Sequence, residues 1–272
     1  MKNKSISILG CGWYGLAMAK ALVADGYHVN GSTTSEEKLE TFKKLNIKPY
    51  LINFNGESVN YDESFFNCDV LIISIPPKRN VQADYPNKIK NIALAAEKAN
   101  VKQIIFISST GIFQNGNFIV DDETIPEPNT TAGEVLLAAE KVLKENQALT
   151  TTIIRFAGLI GPERNLAKYF AGKTDIANGL APINLIHLDD CIGITKAIIE
   201  QKAFGNIYHG VTPSHPSREE FYTKACLSSG FEKPEFIDEL LDWKQVESKN
   251  VARFLAYQFK IENWMEYAEI KH

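Results

Sequence analysis

Residues 5–15 read Ser5-Ile-Ser-Ile-Leu-Gly-Cys-Gly-Trp-Tyr-Gly15, and the reading of this run decides the fold. The apolar stretch 5–9 has the length of a buried strand. The segment 13–24 is rich in alanine, leucine and methionine and reads as a helix closed by Gly26. Between them Gly10, Gly12 and Gly15 stand in G-x-G-x-x-G spacing. The hexapeptide alone is weak, but between a strand and a helix at the head of a βαβ unit it is specific. The first glycine allows the tight turn, the second lets a pyrophosphate approach the backbone, and the third lets helix pack on strand. The helix N-terminus then faces the phosphates, and Trp13 and Tyr14 are expected to flank them. The run predicts dinucleotide binding, against the plainer alternative of a tight turn that holds nothing.

The same alternation continues beyond the loop. Strand-length apolar runs at 27–30, 50–54, 70–75, 104–108 and 151–156 alternate with helix-period segments at 34–45, 86–99 and 132–145. Near-continuous apolar strands separated by helices predict a parallel sheet covered on both faces, an α/β doubly wound layout of Rossmann type. After Gly161-Pro162 the alternation loosens. It leaves a helix at 189–201, a short strand at 207–210 and a helix opened by the capping box Ser217-Arg-Glu-Glu220. Residues 1–160 are expected to form the nucleotide-binding body. Residues 161–272 are expected to form a small substrate lobe, with segments returning to that body.

Composition excludes several classes. The 272 residues carry 44% hydrophobic and 23% charged side chains, ordinary for a folded protein, and a formal charge of −4. That acidity argues against a nucleic-acid partner, whose binding surfaces are basic. No run approaches the roughly 20 apolar residues that span a bilayer, and the N-terminal apolar run is too short for a secretory signal. The chain is therefore expected in the cytoplasm, away from membranes. Cys11, Cys68, Cys191 and Cys226 lie far apart with no C-x-x-C pair. This is the pattern of free thiols in a reducing compartment rather than of a disulfide scaffold or a metal site.

The choice of dinucleotide is read at the end of the second strand. NAD-binding loops place an acid about 20 residues past the glycines, where it holds the ribose 2′-hydroxyl. Here the sequence is Gly31-Ser32-Thr33-Thr34-Ser35, and the first acids, Glu36 and Glu37, already fall in the next helix. Thr34-Ser-Glu-Glu37 would open that helix as a capping box. The hydroxyls of Ser32, Thr33 and Thr34, with Lys38, can accept a 2′-phosphate that a carboxylate would repel. NADP is expected in preference to NAD, with helix capping as the plainer use of the same hydroxyls. Ser74-Ile75-Pro76-Pro77 ends the fourth strand where the cofactor ribose normally lies, which adds Ser74, Ile75 and Pro76 to the expected contacts.

Four further segments carry a resemblance. They are Asn53-Phe54 after the third strand, Ser108-Ser-Thr-Gly-Ile-Phe113 after the fifth, Arg155 with Gly161-Pro162, and His187-Leu-Asp-Asp190. In order and spacing the chain resembles the extended short-chain dehydrogenase/reductases, also called the NAD-dependent epimerase/dehydratase family. The resemblance implies that Asn53 and Phe54 lie beside adenine, that Ala157 and Gly158 border the cofactor, and that Ser109 occupies the position of the catalytic Ser/Thr, with Thr110 beside it. The plainer role of Ser109 is to satisfy backbone groups at the strand end. The family's catalytic Y-x-x-x-K is missing. With Glu140 taken as the acid that follows it, Ala132 stands at the tyrosine position and Leu136 at the lysine position. Phe170-Ala-Gly-Lys173 and the segment from His215 to Tyr222 are similar to those of an atypical bacterial branch, the YeeZ-like proteins.

Two other matches to Y-x-x-x-K, Tyr169 to Lys173 and Tyr267 to Lys271, have the spacing but not the place in the fold. Thr130 and Thr131 flank the vacant tyrosine position. His187 and His215 are expected to make structural hydrogen bonds, and Arg155 either orients a substrate anion or bridges the two lobes. These observations point to an NAD(P)-binding oxidoreductase or epimerase/dehydratase-like protein acting on a small polar substrate, with a homodimer compatible by analogy of fold. The alternative is a dinucleotide-binding protein without turnover, reporting redox state or assisting a partner.

Overall fold

The computed structural model describes residues 4–55, 58–77 and 84–267. The chain runs β1 (Ser5–Leu9), α1 (Trp13–Ala24), β2 (His28–Thr33), α2 (Leu39–Lys44) and β3 (Lys48–Leu51), then an antiparallel hairpin of β4 (Asn53–Asn55) and β5 (Ser58–Asn60). Next come β6 (Val70–Ile73), α3 (Tyr85–Lys98), β7 (Gln103–Ser109), β8 (Phe118–Val120), α4 (Thr131–Glu145) and β9 (Thr150–Phe156). The last third holds β10 (Gly158–Ile160), α5 (Ala167–Phe170), β11 (Leu185–His187), α6 (Leu188–Gln201), β12 (Ile207–Gly210), α7 (Arg218–Ser228), β13 (Lys244–Val246) and α8 (Lys249–Leu255).

Seven strands form one parallel sheet in the order β12-β9-β7-β6-β1-β2-β3. The central strand β6, Val-Leu-Ile-Ile, is buried at every position, as a parallel strand covered on both faces must be. α3 buries Ile89, Ile92, Ala93 and Ala96, one apolar face at helical spacing. From β1 the chain builds outward to β3 on one side, then restarts at β6 on the other. The order therefore reverses between β1 and β6, and the crevice beyond their carboxyl ends is the ligand position of a doubly wound sheet. The expected fold class is the one observed.

Three local expectations are corrected. The second strand runs on to Thr33, because Ser32 and Thr33 pair with Tyr50 and Leu51 of β3. That extension leaves too little chain for the Thr34 capping box. Glu36–Lys38 form a 3-10 turn instead, and Thr33 Oγ1 accepts a hydrogen bond from the Ser35 amide at 3.1 Å. The third strand stops at Leu51, so Asn53 and Phe54 sit in the hairpin. The Ser217 capping box does form, with both reciprocal bonds to Glu220. A smaller second apolar cluster gathers Ile183, Leu185, Phe221 and Trp264. Among the described residues, no helix is long and apolar enough to cross a membrane.

Candidate functional site

The glycine loop is held from two neighbouring strands. The Gly10 amide donates to Ser32 Oγ at 2.9 Å and the Cys11 amide to the Ser32 carbonyl at 3.0 Å, while Ser74 Oγ donates to the Gly10 carbonyl at 2.7 Å. Ser32 and Ser74 thus shape the loop. Gly10 has φ +101°, where side chains are strained, and a Cβ there would meet Ile75 at 2.6 Å. At Gly15 a Cβ would lie 2.2 Å from the Gly10 carbonyl oxygen, so α1 packs on the end of β1 closer than any side chain permits. Gly12 differs, because nothing lies within 4 Å of its Cβ position. No side chain caps α1, so its first-turn amides and the positive end of its dipole remain for an anion in that open space. These residues fit a pyrophosphate.

From the loop a cleft of about 240 Å³ runs toward the end of β2 and the hairpin. Its walls bring together Gly10, Gly12, Ser32, Thr33, Thr34, Lys38, Asn53, Phe54, Ile75 and Pro76, the greater part of the cofactor contacts expected from sequence. Cys11 and Lys88 also line it. Burial pushes the Cys11 thiol up to about 12, so it is neutral. Lys88 lies in the first turn of α3, and nothing in its local sequence marks it as facing the cleft. Among the described residues, the lining includes two lysines and no carboxylate.

Other expected contacts lie elsewhere. Tyr14 is buried, its hydroxyl 2.7 Å from Thr195 Oγ1 and its ring edge-on to Phe156 at 5.4 Å. Its side chain faces the core between α1 and α6 and does not flank the phosphates, because position 14 shares the buried face of α1 with Met18 and Leu22. The Trp13 indole donates to the Pro162 carbonyl at 2.7 Å, and the Arg164 guanidinium lies 4.1 Å over its ring. Trp13 so ties the loop to the Gly161–Pro162 turn, which borders a separate cavity of about 580 Å³. Ala157 is buried, with its amide on the Gly210 carbonyl. Gly158 borders neither of these spaces.

Gly158 instead lines one of two adjoining cavities, of about 370 and 440 Å³, at the carboxyl end of β7. Ser109 borders both. Its Oγ accepts from the Gly111 amide at 3.0 Å, so the plainer structural role is present, and the hydroxyl hydrogen is still there to donate. Thr110 borders the second cavity. Ala132 and Leu136 border the first, and Thr130 beside them caps α4 through the Gly133 amide at 3.1 Å. Lys244 lines both cavities, with Nζ donating to the Phe113 carbonyl at 2.6 Å and to Asn115 Oδ1 at 3.4 Å. Burial lowers its pKa, and Asp242 partly opposes the shift. Sequence reasoning missed Lys244 because a three-residue strand carries no period to read.

Arg155 is settled by geometry. It is 2% exposed, and its Nε and Nη2 reach Glu140 Oε1 and Oε2 at 3.1 and 2.7 Å. The guanidinium bridges α4 to β9 and is closed to a substrate. His187 Nδ1 accepts from the Asp189 amide at 3.2 Å and caps α6, while His215 Nδ1 donates to the Ile183 carbonyl at 2.9 Å. Tyr169 is 66% exposed, with Lys173 Nζ 3.5 Å from its ring centroid, and the pair lines none of the clefts described. Lys271 lies outside the described residues.

A doubly wound sheet whose glycine loop and switch-point cleft fit a pyrophosphate defines a dinucleotide-binding Rossmann protein. Residues 10–179 match the family described as NAD(P)H-binding. The chain belongs to that family and is a relative of protein YeeZ. Protein YeeZ of Escherichia coli is 31% identical over 264 residues, covering 94% of this chain and 96% of that protein. Among solved structures, UDP-N-acetylglucosamine 4-epimerase from Bacillus cereus superposes with a TM-score of 0.80 at 15% identity, over 98% of each chain. UDP-glucuronic acid 4-epimerase from Bacillus cereus, in complex with NAD, gives 0.79 at 18% identity, over 98% of this chain and 96% of that one. At such identities the likeness is one of fold.

Proposed function

We propose that this protein is an NADP-preferring oxidoreductase or epimerase/dehydratase-like enzyme. Its small polar substrate lies between the carboxyl edge of the sheet and the 161–272 lobe. The observation that carries the reading is the cleft at the end of β2, where Thr33, Thr34, Lys38 and Lys88 gather with no carboxylate among the described lining residues. A 2′-phosphate placed there meets hydroxyls and two cations, whereas the ribose of NAD finds no acid to hold its 2′-hydroxyl. When bound, the dinucleotide supplies a nicotinamide that exchanges hydride with the substrate. The chain's own part is positional. Gly12 and the first turn of α1 seat the pyrophosphate, Asn53 and Phe54 border the adenine end, and Ser109 and Thr110 meet the substrate at the end of β7.

Calorimetric titration with NADPH and NADH tests the cofactor choice. NADPH should bind at least tenfold more tightly, and Lys38→Gln should remove about that factor for NADPH while leaving NADH unchanged. Equal affinities for the two dinucleotides would end the NADP preference. Oxidation of NADPH against a panel of carbonyl compounds and nucleotide sugars tests the chemistry. Tight binding with no turnover across the panel would replace the enzyme by a protein that binds the dinucleotide and does no chemistry on it.

A further inference from the structure

The cavity at the end of β7 has one ionic wall. α4 presents Ala132 and Leu136 to it, and neither a methyl nor an isobutyl group can hold or move a proton. Across from them stand Ser109 and Lys244, which also border the adjoining cavity that reaches Arg218 and Asp242. We propose that Lys244 supplies from β13 the cation that α4 lacks, and that its ammonium gives the proton to a substrate carbonyl oxygen held beside Ser109. This rests on the oxidoreductase reading above.

The position of Lys244 is built rather than incidental. β13 pairs with β8 in parallel, with Lys244 opposite Phe118. The Trp243 carbonyl accepts from the amides of Gly116 and Asn117 at 3.1 and 2.8 Å, and the Trp243 amide donates to Asn117 Oδ1 at 3.1 Å. Asn184 then clamps the strand. Its side-chain amide donates to the Lys244 carbonyl and accepts from the Val246 amide, each at 2.8 Å. With the backbone fixed, Nζ spends two of its three N–H bonds on the Phe113 carbonyl and Asn115 and keeps one for a ligand.

The step balances with the groups named. When bound, the reduced dinucleotide would supply the hydride that the carbonyl carbon accepts as its C–O π bond opens. The oxygen takes a proton from Nζ, with Ser109 Oγ–H donating to the same atom. One C–H and one O–H bond form at the substrate, while the hydride donor's C–H bond, the C–O π bond and one N–H bond of Lys244 break, so that the carbonyl would be reduced at the expense of the bound dinucleotide. The neutral amine then recovers a proton from water. An ordinary lysine is a weak acid near neutrality, and burial brings this one closer to the working range, as general-acid catalysis requires. Of the residues lining the two cavities, the other charged groups are Arg218 and Asp242, and Asp242 opposes the effect of burial.

The test uses the full chain with Lys244→Gln, Lys244→Arg and Lys20→Gln, the last an exposed residue of α1 as control. With any panel carbonyl that wild type reduces, Lys244→Gln should lower kcat by about 10²-fold or more with KM changed by only a few-fold. Lys244→Arg keeps the charge but cannot give up a proton at working pH, so it should not restore kcat. In wild type, kcat should fall on the alkaline side as Lys244 loses its proton, and this limb should be absent from both Lys244 variants. A measurement free of turnover accompanies these: trace acetylation by acetic anhydride across pH, read lysine by lysine by mass spectrometry. Lys244 should titrate below the exposed lysines. An ordinary lysine profile at Lys244, or a Lys244→Gln enzyme that keeps kcat and the alkaline limb, overturns the proposal and leaves the oxidoreductase reading standing. Absence of NADPH oxidation by wild type with every compound overturns both.

Discussion

Gly12 and Gly15 are the same residue three positions apart, yet they do opposite work. A methyl group at Gly15 would sit 2.2 Å from the Gly10 carbonyl oxygen, an atom fixed by the backbone, whereas at Gly12 it would enter open space. Gly15→Ala should therefore destabilise the fold by about 1–3 kcal/mol through overpacking. Gly12→Ala should move Tm by less than about 3 °C. The order reverses for binding. Gly12→Ala places a methyl where the pyrophosphate must lie and should weaken dinucleotide affinity at least tenfold in a folded protein. A Gly12→Ala variant with wild-type affinity would remove the phosphate from this loop. The spacing of these glycines was legible because the turn, the approach and the packing each need a missing side chain. The work of Tyr14 and Ser32 was not. Their partners, Thr195 and the Gly10 amide, are set by how α1 meets α6 and how far β2 runs along β1.

Helix α4 is held in place by a charge pair rather than by apolar contacts alone. Ala132 and Leu136 stand where the family resemblance would put a tyrosine and a lysine, and Glu140, one turn beyond, pairs with Arg155 of β9 in full burial. Both carboxylate oxygens are used, so the pair fastens the helix to the sheet. Breaking it from one side strands a charge in the core, at a cost of about 3–5 kcal/mol. Arg155→Met should show that loss in urea unfolding. Arg155→Met combined with Glu140→Leu should recover most of it, because neither variant residue leaves a charge to solvate. A double variant no more stable than the single one would mean that the pair contributes attraction beyond its desolvation cost. Elements of this length were legible, since four turns of helix or five apolar strand residues carry a period. The β8–β13 and β10–β11 pairs were not. Each strand has three residues, and its partner is chosen by the packed fold, so the wall carrying Lys244 had no local signature.

At the scale of the whole molecule, distant parts of the chain meet around one buried histidine. His209 of β12 is fully buried, with Nδ1 donating to the Glu247 carbonyl at 3.1 Å and Nε2 facing Arg155 Nη1 at 3.4 Å. Its amide donates to Asp122 Oδ1, and Asp122 Oδ2 accepts from the Asn250 amide at 3.0 Å. Polar groups thus strap the C-terminal third to the sheet beside the apolar contacts that Val246, Val251 and Leu255 make with the main core. Burial first, then the Arg155 charge, push the His209 pKa down to about 3, against about 6.5 in an unfolded chain. Between those values the unfolded state binds a proton that the folded state refuses, so stability rises with pH. It is complete above about pH 6.5 and declines as pH falls toward 3, by about 1.4 kcal/mol per pH unit. Asp122 works in the opposite sense, because burial raises its carboxyl and lets the folded state take up that proton first. A comparison with His209→Gln cancels this contribution and every other shared one. Between pH 7 and pH 5 the wild type should lose about 2 kcal/mol more unfolding free energy than His209→Gln. Equal losses would mean that His209 is protonated within the folded protein, and that the strap opens in mild acid.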